Sequence, residues 1–207
     1  CGLNESGTVT YGDGTGSLQH GDNGGTTGAG AIGNLYAADG GTVVFQQRMI
    51  GNIGTIANQV FGFLKQGRGT VELQNSSAGA GTSAFVLAGG TLVLNHTAAT
   101  NVAVVGNTNA RFDGGTVIVR ASSSIATTEG FATADAAGRI LEFSIGGTEI
   151  VARTTSTGTP RNMTLGMGNP NANGTTPASN FLRGLGATAN LVEDNAAGGT
   201  AQITLNF

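Results

Sequence analysis

The chain has no tryptophan, one lysine, three prolines and a single cysteine. Only 10% of its 207 residues are charged, well below the usual quarter, and 5% are aromatic. Each scarcity excludes something. One cysteine forms no intramolecular disulfide, so stability has to come from packing and backbone pairing. Nine basic residues without a run, against twelve acidic ones, give a formal net charge of −3. With few aromatics to stack on bases, no nucleic-acid surface is expected. No apolar stretch approaches the 18 residues that a membrane-spanning helix needs. Low charge alongside 39% hydrophobic residues is the reverse of a disordered chain. With only three prolines and no strict glycine period, a collagen helix is excluded too.

What is abundant is glycine, with 37 residues, set between short β-branched runs. That composition is all-β. The runs share a phrase. Gly40-Gly41-Thr42-Val43-Val44-Phe45 returns as Gly69-Thr70-Val71-Glu72-Leu73, as Gly89-Gly90-Thr91-Leu92-Val93-Leu94, and as Gly114-Gly115-Thr116-Val117-Ile118-Val119-Arg120. Weaker copies are Gly146-Gly147-Thr148-Glu149-Ile150-Val151 and the final Gly198-Gly199-Thr200-Ala201-Gln202-Ile203-Thr204-Leu205. The threonines at 42, 70, 91, 116 and 148 are 28, 21, 25 and 32 residues apart, a period that marks a solenoid or array. Each phrase alternates: Val71 and Leu73, Leu92 and Leu94, Val117 and Val119, and Ala201, Ile203, Leu205 and Phe207 fall on one face. A period of two with one apolar face is a half-buried strand.

Between Thr91 and Thr116, Val102-Ala103-Val104-Val105 and Ala110-Arg111-Phe112 supply two further strand candidates, with Gly106-Asn107 as a turn. Three strands in 25 residues make one coil of a right-handed parallel β-helix. The same runs also suit an antiparallel meander or β-sandwich, since glycine pairs fit hairpin turns and coil corners equally. The repetition of the phrase as a unit, without mirror pairs, favours the coil. One domain over 1–207 is expected, with a Gly-rich lead-in at 12–34 and a loop or protrusion at 154–180. The Ala-rich run from Gly130 to Gly138 suggests a short helical turn.

Candidate chemistry is sparse. The only adjacent acids are Glu193-Asp194; Asp113 sits where it would cap a turn, and His20 and His96 stand alone as expected surface or turn residues. No nucleophile elbow, HExxH, P-loop or dinucleotide fingerprint occurs, so no catalytic or cofactor-binding residue is assigned. Tyr11-Gly12-Asp13-Gly14-Thr15-Gly16 and Gly21-Asp22-Asn23-Gly24-Gly25 are the places to look for calcium, although neither completes a known calcium-loop spacing and plain turns are the default. Cys1 has two readings: the lipid anchor of a mature lipoprotein, the one route by which a membrane would be involved, or a plain boundary residue.

Phe85-Val86-Leu87-Ala88-Gly89-Gly90-Thr91-Leu92-Val93-Leu94 and Phe112-Asp113-Gly114-Gly115-Thr116-Val117-Ile118-Val119 have a familiar cast. So has Leu182-Arg183-Gly184-Leu185-Gly186-Ala187-Thr188-Ala189-Asn190, preceded by Met163-Thr164-Leu165. Over about 120 residues the segment resembles the autotransporter-associated β-strand repeats of bacterial surface proteins. The resemblance implies a β-helical passenger displayed outside the cell, although no translocator barrel is present. The expected function is a non-catalytic structural or display module of the bacterial cell surface or an extracellular fibre. It would form a homo-oligomer or filament by end-to-end stacking through Ala201, Ile203, Leu205 and Phe207. The alternative is an adhesin or glycan-binding module that uses the 154–180 loop or the outer Thr/Asn rows.

Overall fold

The computed structural model describes residues 6–12, 17–20, 33–46, 48–51, 55–56, 59–60, 63–74, 85–96, 104–105, 109–132, 140–155, 162–168, 180–195 and 199–205. Among these residues every regular element is a β-strand and none is a helix. The largest sheet has seven strands, in the order β1 (Gly7–Tyr11), β4 (Gly41–Phe45), β9 (Thr70–Gln74), β11 (Thr91–Asn95), β13 (Gly115–Arg120), β16 (Gly147–Arg153) and β19 (Thr188–Asp194). A second has six: β3 (Gly33–Tyr36), β8 (Phe63–Gln66), β10 (Phe85–Ala88), β12 (Ala110–Phe112), β15 (Ile140–Phe143) and β18 (Asn180–Arg183). A third has β14 (Thr127–Phe131), β17 (Met163–Met167) and β20 (Ala201–Leu205). Two strand pairs complete the set. One joins β2 (Ser17–His20) and β5 (Arg48–Gly51); the other joins β6 (Thr55–Ile56) and β7 (Gln59–Val60).

All pairings are parallel except β6 with β7. The repeated phrases therefore lie side by side in the same direction, and the hairpin meander is not formed. From β12 onward the chain visits the second sheet, the first and the third in rotation, three times over, ending on β18, β19 and β20. Parallel neighbours cannot be joined by a tight hairpin, and here the other sheets serve as the crossover.

The phrase sets the register. Thr42, Thr70, Thr91 and Thr116 stand opposite one another in one row. Beneath them Val43, Val71, Leu92, Val117 and Ile150 form a fully buried row, followed two residues on by Phe45, Leu73, Leu94, Val119 and Ala152. The fifth threonine breaks the expectation. The corner from Phe112 to Thr116 spans four residues, but the matching one from Phe143 to Glu149 spans six, so Glu149 takes the place opposite Thr116. Thr148 is carried to the row opposite Gly115, where it is 3% exposed and its hydroxyl has no partner.

The second sheet presents an aromatic column to the same interior. Phe63 stacks on Phe85 with ring centres 5.7 Å apart, and Phe112 stacks on Phe143 at 5.0 Å. Phe131, from the third sheet, meets Phe85 and Phe112 edge-on at 5.4 and 5.9 Å. Offset and edge-on pairs add about 0.5–1.5 kcal/mol each beyond their buried area. All three sheets thus feed one continuous core, completed by Met163, Leu165 and Met167 of β17.

Two local expectations change. Of the expected strand at 102–105, Val104 and Val105 form a bend, while 102–103 and the turn at 106–107 lie outside the described residues; Ala110–Phe112 is strand β12 as expected. Gly130 and Phe131 end strand β14, so the Ala-rich run begins in β-structure; residues 133–139 lie outside the described set. Of the 12–34 lead-in and the 154–180 loop, the described parts include strands β2 and β17.

Candidate functional site

The three last strands each end a sheet, and they differ in how their outer edge is treated. On β20, the N–H of Ala201 donates to Oδ1 of Asn195 at 2.6 Å and the N–H of Ile203 donates to Oε1 of Glu193 at 2.8 Å. Glu193 belongs to β19 and Asn195 to the connection that follows it, and Asn162 Oδ1 accepts the N–H of Thr200 beside them at 3.2 Å. Side chains thus occupy the N–H groups that an incoming strand would use. Leu205 is 46% exposed, Ala201 is buried, and Phe207 lies outside the described residues.

Two charged residues stand where the layers just before them are apolar. Arg183 continues the row Leu87–Phe112–Phe143, and its Nε donates back to the carbonyl of Ala187 at 2.8 Å. Glu193 continues the row Val119–Ala152. Neither is buried, because no further layer covers them among the described residues. Phe181, 45% exposed, sits in the aromatic column 5.9 Å from Phe143.

Inside the core lie charged groups that sequence reasoning left out. Lys65 is fully buried in the inward row between Leu35 and Leu87. Its ammonium donates to the carbonyls of Gln66 (3.1 Å), Gly67 (2.8 Å) and Gly89 (3.0 Å), tying the turn after β8 to the turn after β10. Burial pulls it down from its ordinary value of 10.5 to about 8. Gly90 makes room for it: a Cβ there would lie 2.6 Å from Nζ and in hard contact with the Gly67 carbonyl, at a φ of +65°. The signal was the alternation Phe63-Leu64-Lys65-Gln66, which puts Lys65 on the face of Phe63.

His96 is a correction. It was expected at the surface, yet it is 4% exposed, with Nε2 3.2 Å from Oε2 of Glu129, which is 1% exposed. The ring is not aligned to hydrogen bond across that gap. Glu129 accepts instead from the N–H of Val104 at 2.7 Å and of Gly130 at 3.0 Å. Among the described residues no strand precedes β14 in the third sheet, and the carboxylate accepts the N–H of the Val104 bend. Burial of a carboxylate requires such donors. His20 lies in β2.

Other charges make contacts within and between strands on the outer face. Glu72 accepts from Gln74 at 2.5 Å and Asn95 at 2.7 Å, with Arg120 3.8 Å away. Arg111 donates to Asp113 at 2.8 Å and Ser144 at 3.2 Å, and the Asp113 hydrogen bond pushes its pKa further up. Asp113 is thus an ion-pair partner. The Glu193-Asp194 pair is split: Asp194 takes Arg153 at 2.7 Å while Glu193 turns to β20. A shallow cleft of about 430 Å³ runs over the outer face between Thr116, Glu149, Thr188 and Asn190. No cluster of three or more metal-ligating acids, histidines or cysteines occurs among the described residues. Cys1, and the calcium candidates at 13–16 and 21–25, lie outside them.

No protein-family model, curated protein or solved structure matches the chain.

Proposed function

We propose that this protein is a non-catalytic structural or display module, a right-handed parallel β-helix that stacks end to end at a bacterial surface or in an extracellular fibre. Right-handedness follows the near-universal hand of parallel crossovers. The observation that supports this reading most is the unbroken register of the seven-stranded sheet. Residues that face inward in β4 keep inward partners through β9, β11, β13 and β16, so each layer repeats the last. Seven strands about 4.8 Å apart make a rod section about 30 Å long, with one strand exposed at each end. Such a lattice resists unfolding from its middle and extends from its ends. Electron microscopy of the purified chain at rising concentration tests it. Filaments with a repeating axial rise are expected; discrete monomers at millimolar concentration would refute stacking.

The cleft at Thr116, Glu149, Thr188 and Asn190 favours a second reading, an adhesin that holds a glycan against the outer face. Hydroxyl, carboxylate and amide groups in one groove suit sugar hydroxyls. Glu149 and Asn190 already share a 3.2 Å hydrogen bond that a ligand would extend. A glycan array decides it: binding by the native chain that is lost in Asn190→Ala supports this reading, and an empty array removes it.

A further inference from the structure

We propose that the joint between stacked copies is formed by β19 of one copy and β1 of the next, and not by β20, where the apolar row Ala201–Ile203–Leu205 would otherwise place it. The inference rests on the stacking reading above. Three observations carry it.

The first is the closure of β20. Its Ala201 and Ile203 N–H groups, which point away from β17, are held by Asn195 and Glu193. Pairing a new strand there would require both side chains to leave.

The second is the state of β19. Thr188 donates to Gly146, and the carbonyl of Asp194 accepts from Thr154, so the residues of even number face β16. Alternate residues of a parallel strand bond to opposite neighbours. Ala189 and Leu191 therefore turn their main-chain groups outward, and no hydrogen bond reaches their N–H groups among the described residues. At seven residues β19 also offers the longest edge of the three last strands.

The third is the match with β1, at the opposite end of the same sheet. The carbonyl of Tyr11 accepts from Gln46 at 2.9 Å, so Gly7, Val9 and Tyr11 face β4 while Thr8 and Thr10 face outward. Continuing the existing rows puts Thr8 of the next copy opposite Asn190 and Val9 opposite Leu191. In that register Leu191 bonds to Thr8 and Thr10, both of which present outward groups. A one-residue slip would set bonding groups against non-bonding ones and turn every side chain to the wrong face. The same register lays Val9, 36% exposed, over the half-buried Leu191. Because the two edges belong to opposite ends, the contact is heterologous and generates an open filament.

Cysteine pairs test it in a Cys1→Ser background. Registered Cα atoms in adjacent strands lie about 5 Å apart, within disulfide reach, whereas a slip of two residues puts them about 8 Å apart and out of reach. Oxidised Thr8→Cys/Asn190→Cys protein is expected to give a ladder of cross-linked oligomers on a non-reducing gel. At least tenfold less should form with Thr10→Cys/Asn190→Cys. Far-UV circular dichroism of the reduced variants checks that both fold. Filaments by microscopy without a Thr8–Asn190 ladder, or with a stronger Thr10–Asn190 ladder, would overturn the joint and leave stacking standing. Discrete monomers with no ladder would overturn both.

Discussion

Lys65 gives the sharpest test of the packing argument, because its proton reports directly on the core. Burial pulls its pKa from 10.5 to about 8, while the unfolded chain keeps the ordinary value. Between those two values the unfolded state binds more protons than the folded one, so stability must rise with pH. At 1.36 kcal/mol per unit the full rise is about 3 kcal/mol, complete near pH 10.5. Below pH 8 both states carry the proton and the contribution is flat. The reference is Lys65→Met, which keeps the length of the side chain without the charge. Both proteins share Tyr11 and Tyr36 and the same arginines, so their difference isolates Lys65. Urea unfolding followed by far-UV circular dichroism from pH 7 to 10.5 measures that difference. With a urea slope of about 2–3 kcal/mol per molar, the midpoint of the native chain should gain about 1 M on the variant across the window. A constant difference would mean that the carbonyls of Gln66, Gly67 and Gly89 hold the proton as firmly as water does. A falling difference would mean they hold it more firmly, and either result refutes the claim that burial dominates.

Other consequences follow from the same contacts. Gly90→Ala should cost about 3 kcal/mol or more, since it combines a φ of +65° with overlap on Lys65 Nζ and the Gly67 and Gly69 carbonyls; a thermal melt measures it. Glu129→Ala should cost about 2–4 kcal/mol by orphaning the N–H groups of Val104 and Gly130, and Glu129→Gln less, because one acceptor oxygen remains; a smaller loss for the alanine variant than for glutamine would contradict the assignment. Glu193→Ala/Asn195→Ala should uncover the β20 edge and give disordered lateral aggregates, detected as rising light scattering, while leaving far-UV circular dichroism nearly unchanged.

The strands were legible because their period and their boundaries came from the same residues. Each Gly-Thr-β-branched phrase announced a corner and then an alternation, and the rows at Val71, Leu92 and Val117 follow from that alone. The placement failed where corner length changed. Counting from Gly146-Gly147 put Thr148 in the threonine row, but two extra residues after Phe143 moved Glu149 there instead. Sequence repetition specifies the phrase, whereas register is specified by how many residues turn the corner before it. Strand order was inaccessible for a related reason: nothing in the phrases says which side of the molecule lies between two copies.

The candidate site is hidden from any reading that takes charge as a mark of the outer face. Treating charged residues as markers of the outer face works at Glu72 and Arg120, where the opposite alternation holds Val71 and Val119 inside. Lys65 and Glu129 violate it while obeying parity, since Lys65 is two residues from Phe63 and Glu129 two from Phe131. Where charge type and alternation disagree, alternation wins if the backbone nearby has groups to satisfy the charge. At Lys65 they are the turn carbonyls of Gly67 and Gly89, with that of Gln66, which ends β8 and also accepts from Ala37. At Glu129 they are the N–H groups of a bend and of the strand's own next residue. Arg183 and Glu193 complete the pattern at the last layer, inward by parity yet still in water, with partners found on Ala187 and Ile203. A stacked copy laying β1 on β19 would set Tyr11 opposite Glu193 and leave the Ile203 N–H its carboxylate acceptor, so the same residue can close β20 without obstructing the neighbouring edge.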